Sequence, residues 1–132
     1  MSINRINPAN LAAPKGFSHA VVGHGTTVFL AGQTALNADG AIVGDTIVEQ
    51  FEQALANLLT ALREAGGEPA QLASLTVYIT DMDDYRAHAR DIGGVWKRLI
   101  GRDYPAMAGI GVARLWDKEA LVEVQGFAVI DA

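Results

Sequence analysis

The chain has 132 residues, 50% of them hydrophobic, no cysteine and a formal net charge of -5. This length supports one domain, 1–132, with a real core and no second one; the absent cysteines exclude disulfides, thiolate nucleophiles and cysteine-bound zinc. The ten scattered Lys and Arg argue against a grip on phosphate backbones, and no run approaches the roughly 18 apolar residues of a membrane span. Residues 1–8 contain no continuous apolar segment, so no signal peptide is expected and a cytoplasmic location fits.

Residues 1–16, with Pro8 and Pro14, predict an irregular arm. Segments 17–22 and 26–32 read as strands of a hairpin turned at Gly23-His24-Gly25. Residues 37–40 form a turn, and 41–43 a brief edge strand. The clearest signal is a helix over 46–65: Thr46 and Glu49 have capping-box spacing, Ile47, Phe51, Leu55, Leu58 and Leu62 recur along one stripe, and Gly66-Gly67 stops it. Segment 72–80 alternates with Leu75, Val77 and Ile79 on one face, a strand covered on one side. Asp81, Asp83 and Asp84 supply caps for a second helix over 83–100, and Gly101 ends it.

Segment 104–130 reads as two strands joined by a polar turn at 116–119. In the second, Val122, Val124, Ala128 and Ile130 share one face, while Leu121, Glu123, Gln125 and Phe127 share the other. In the first, Gly109, Gly111 and Ala113 form a face almost without side chains, where another backbone or a ligand is expected to approach closely. The order is therefore β-β-α-β-α-β-β, an α+β domain whose two helices cover one face of the sheet. The other face, with Tyr78, Leu121, Glu123, Gln125 and Phe127, is too apolar to stand in water, so another subunit is expected to cover it.

The segments TTVFLAGQ (26–33), LTVYITDMDDY (75–85), VARL (112–115) and ALVE (120–123) resemble the RidA/YjgF family of reactive intermediate deaminases, and the likeness runs through nearly the whole chain. The resemblance implies a homotrimer of chorismate-mutase-like subunits with helices outside and clefts between neighbours. In deaminase members such clefts hydrolyse enamines and imines to a keto acid and ammonia. The family's Pro-Ala-Arg-Ser, whose arginine forks onto the substrate carboxylate, is here Pro105-Ala106-Met107-Ala108. Methionine cannot make that bidentate, charge-assisted contact. The family's tyrosine falls on Phe17, its cysteine on Gly109 and a further glutamate on Gly111. The water-handling glutamate is retained as Glu123, as are Ala31 and Gly32, whose backbone lies where the family contacts its ligand.

Imine hydrolysis needs a proton at the enamine carbon or imine nitrogen and a positioned water. A carboxylate half-buried among apolar groups holds its proton more tightly, which suits such exchange near neutral pH. Glu123 is the catalytic candidate under this reading; a structural role, pairing with Arg114, is the alternative. Gln125 is placed to orient substrate, and Phe17, Met107 and Phe127 to shape the pocket. His19, two residues from Phe17, stands either as a replacement acid or base or as a structural residue. Whether Arg102 or Arg114 supplies the lost cation is open. No histidine spacing indicates a metal, and no cofactor is implied. Three functions remain: imine deaminase, a non-catalytic trimer binding a small apolar metabolite or a partner, and an endoribonuclease or translation inhibitor, which the acidic charge opposes.

Overall fold

Local signals set the long helix before any tertiary contact does. In the computed structural model, which describes residues 2–131, α1 spans Ile47–Glu64, within the expected 46–65. The Thr46 hydroxyl accepts from the Glu49 N–H at 3.2 Å, and the Glu49 carboxylate accepts from the Thr46 N–H at 3.1 Å. Two free donors of the first turn are thus satisfied. Ile47, Phe51, Leu55, Leu58, Leu59 and Leu62 are buried along one stripe, each contributing about 1.5–3 kcal/mol. Gly66, at φ +92°, ends the helix in a conformation that L-residues avoid.

That stripe lies on a four-stranded sheet in the order β3 (Thr26–Gln33), β6 (Val122–Ile130), β4 (Leu72–Ile79), β5 (Ala106–Gly111). Strand β6 is antiparallel to both neighbours, whereas β5 runs parallel to β4. Leu75, Val77 and Ile79 of β4 and Val122, Val124 and Ala128 of β6 join α1 in one core, together with Ile92, Val95 and Trp96 of α3 (Ala89–Leu99). The α+β class and the placement of the helices on one face are as expected. On the opposite face Phe29 is 76% exposed and Phe127 42%.

Six expectations are corrected. Strands β5 and β6 are not a hairpin: α2 (Met82–Ala87) and α3 carry the chain from β4 across to a parallel β5, and β6 then enters on β4's other edge. Alternation reveals which face a residue takes and is silent on which strand lies beside it. Nor is there a hairpin at 17–32, because β2 (Ala20–Gly23) pairs with β1 (Ile3–Ile6) in a separate two-stranded sheet while β3 joins β6. The arm thus contains a strand, set ahead of Pro8 and Pro14, where neither proline removes a ladder donor. Residues 41–43 form only one bridge, Leu36 to Ile42, because the Asn37 side chain captures the Asp39 and Ala41 N–H groups at 3.0 and 2.9 Å. The second helix breaks at His88 into α2, capped by Asp81, and α3. Finally, Leu121 packs against the core and not on the open face, since it precedes β6 and its N–H is held by the Gln50 side chain at 2.8 Å.

Candidate functional site

On the open face, Tyr78 of β4 lies opposite Glu123 of β6 and Thr76 opposite Gln125. Glu123 is half-buried, and a Cβ placed on Gly32 would overlap its carboxylate oxygen Oε2. Glycine at 32 is therefore what lets the carboxylate lie flat on the β3 backbone. Among the described residues no cation pairs with Glu123. Arg114 spends its guanidinium on its own loop, donating to the Leu115 and Trp116 carbonyls at 3.2 and 3.4 Å. The structural alternative, a Glu123–Arg114 pair, is not formed. Gln125 is exposed and accepts from the Tyr78 hydroxyl at 3.1 Å, and Phe127 packs edge-on against Phe29 with centroids 5.4 Å apart. Ala31 is exposed nearby on β3.

Met107 and Gly109 lie elsewhere. Their β4 partners are Leu75 and Val77, so they face the helix side. Here Gly16, Phe17, Val77, Tyr85, Met107, Ala108 and Gly109 line a hollow of about 200 Å³. A second, of about 190 Å³, meets it at Gly16, Tyr85 and Met107 and extends between Trp96, Tyr104, Phe51, Ile92 and Lys15. Trp96 stacks on Tyr104 at 5.4 Å, and its indole N–H donates to the Asp103 carbonyl at 3.2 Å. A Cβ on Gly109 would make only ordinary contact with the Ile79 side chain, at 3.6 Å, so at this position the strand opens onto the first hollow.

One protomer therefore brings Phe17, Met107 and Gly109 together, and separately gathers Ala31, Gly32, Glu123, Gln125 and Phe127, but does not join the two groups. They lie on opposite faces, and with β4 between β5 and β6 the strand axes are about 10 Å apart. His19 lines neither hollow: its ring packs edge-on against Phe17 at 5.0 Å and Nε2 donates to the Ala12 carbonyl at 2.7 Å. Neither Arg102 nor Arg114 lines them; the cation that does is Lys15. Tyr85 and Trp96 fall on the apolar stripe of the second helix expected over 83–100, a position that by itself marks core rather than a pocket lining. A tyrosine within an apolar stripe was the available signal, because its hydroxyl needs a partner.

The Endoribonuclease L-PSP family model matches residues 7–130. A solved Yersinia pestis protein of the conserved Rid family superposes with a TM-score of 0.89 at 36% identity, covering 98% of this chain and 100% of that one. A RutC family protein of Synechocystis is 35% identical over 133 residues, 98% of each chain. The 2-iminobutanoate/2-iminopropanoate deaminase of Capra hircus is 32% identical over 104 residues, 78% of this chain and 72% of that protein. The chain belongs to the Endoribonuclease L-PSP family, that of the RidA/YjgF proteins.

Proposed function

We propose that the protein is a RidA-like enamine/imine deaminase whose substrate recognition does not use an arginine–carboxylate pair. The observation that carries this reading is the unpaired Glu123 carboxylate on the Gly32 backbone, beside exposed aromatic surface that one protomer leaves bare. Relatives named as 2-iminobutanoate/2-iminopropanoate deaminases support the reaction class. In this reading the protein is a homotrimer, and the open face of one copy meets the Met107 hollow of the next. Protonated Glu123 delivers its proton to the enamine carbon, giving an iminium; its carboxylate then takes a proton from the water that adds to the iminium carbon and passes it to the nitrogen of the carbinolamine, whose C–N bond breaks as the hydroxyl proton returns to Glu123, releasing the carbonyl product and ammonia. The backbone at exposed Ala31 and half-buried Gly32 offers contacts to the polar end of the substrate, and Gln125 orients it. No metal or cofactor takes part.

The test is ammonia release from 2-iminopropanoate beside neutral and cyclic imines. Turnover of the neutral imines that is lost in Glu123→Gln supports the reading. Activity on 2-iminopropanoate equal to that of an arginine-bearing relative, indifferent to change at Met107, refutes the altered recognition. One observation favours a second reading, a non-catalytic trimer binding a small, mostly apolar metabolite: Tyr85 carries the only polar side chain among the described residues that line the first hollow. Binding that survives Glu123→Gln, with no turnover of any imine, would establish that reading instead. Endoribonuclease action, which the family's description suggests, is opposed by the net charge of -5 and would require RNA binding that falls steeply with salt.

A further inference from the structure

The helix side carries a polar group for which the deaminase chemistry has no use. The Tyr85 ring is held edge-on against Phe51, with centroids 6.2 Å apart at 73°, and lines both hollows where they meet. No group among the described residues hydrogen-bonds its hydroxyl, although Tyr78 and Trp96 have each found a partner. Tyr85 is only partly buried and its hydroxyl is not sealed from solvent, so it stands as a free donor where the two hollows meet, open to an acceptor atom of a ligand.

We propose that Tyr85 is a specificity-determining residue of the site: the paired hollows take a flat, uncharged, ring-sized group of the substrate, and the Tyr85 hydroxyl donates to a carbonyl, ether or ring-nitrogen acceptor on it. The substrate class is then a conjugated or aryl enamine or imine. Naming the occupant as substrate rests on the deaminase reading; the existence of the site does not. The walls suit a ring: Phe17, Phe51, Trp96 and Tyr104 offer aromatic surface, and Met107 presents a soft thioether able to lie against a ring edge. Each hollow, about 190 or 200 Å³, is by itself smaller than the roughly 300–1,000 Å³ of pockets for drug-sized ligands, so the group seated in either is no larger than a small ring. Burial pushes the Tyr85 phenol up from its ordinary range, keeping it a donor at neutral pH. Among the described residues no arginine lines the hollows, so a carboxylate deep in them has no bidentate partner. Lys15, itself exposed, lines only the second hollow.

Calorimetric titration with benzamide, which is flat, neutral and bears a carbonyl acceptor, tests this on the full chain. Saturable binding is expected, weakened about tenfold in Tyr85→Phe, which keeps the ring and removes the hydroxyl. Cyclohexanecarboxamide, with the same acceptor on a puckered ring, should bind more weakly than benzamide. Equal benzamide affinity in Tyr85→Phe overturns the proposal, as does benzoate binding more tightly than benzamide with the gain lost in Lys15→Ala. Tyr85-dependent benzamide binding without ammonia release from any imine keeps the site and removes the deaminase reading. Hydrolysis of 2-iminopropanoate with no benzamide binding does the reverse.

Discussion

The helix-bearing and open faces of the β3-β6-β4-β5 sheet are built from the same strands, yet they differ in kind. On one, Leu75, Val77, Val122 and Val124 meet α1 and α3 in a closed core. On the other, Tyr78, Glu123, Gln125, Phe127 and Phe29 stand open, with a carboxylate set among aromatic rings. The first face holds the fold together and, at its β5 edge, leaves the aromatic hollows; the second holds the candidate proton carrier. Burial is complete in one case within a protomer and incomplete in the other, which is why the proposed reading sets a neighbouring copy against the open face.

Several substitutions break or sharpen that contrast. Glu123→Gln is expected to lower imine turnover by roughly 10²–10⁴-fold, the usual range for a lost general acid or base, while leaving the urea midpoint almost unchanged. Turnover that persists would strip the open face of its chemistry. Leu58→Ala, on the closed side, should do the opposite, costing about 2–5 kcal/mol in urea unfolding as a core cavity opens, with kcat retained at temperatures where the protein is folded. Phe29→Asp places a charge where a neighbour is proposed to pack and should shift the mass by light scattering toward a single chain, with native far-UV circular dichroism. An unchanged mass would show that this face needs no cover.

The smallest effect belongs to His88, at the break between α2 and α3. The Asp84 backbone carbonyl, 2.9 Å from Nδ1, and the Asp84 carboxylate at 3.1 Å raise its pKa above 6.5. Protonation is thus favoured in the folded state. The stabilisation is fully present below about pH 6.5 and is lost as pH rises through the raised value. The Tm gap between the native chain and His88→Gln should therefore be widest below about pH 6.5 and narrow as the pH rises above it. A gap that widens with pH would reverse the assignment.

What could be read before any coordinates were those properties that a chain segment fixes by itself. The capping pair Thr46 and Glu49, the stripe from Ile47 to Leu62 and the face shared by Glu123, Gln125 and Phe127 follow from periods of 3.6 and 2, which need no partner to be visible. The family motifs added Gly32 and Glu123, and the close fit between them explains why both belong to one site. Strand neighbours were a different matter. That β5 lies parallel to β4, that β6 sits between β3 and β4, and that Met107 and Glu123 take opposite faces depend on long-range burial and chain crossing. The unpartnered Tyr85 hydroxyl belongs to the same category, because a tyrosine in a helical stripe looks the same in sequence whether packing leaves a hollow beside it or closes around it.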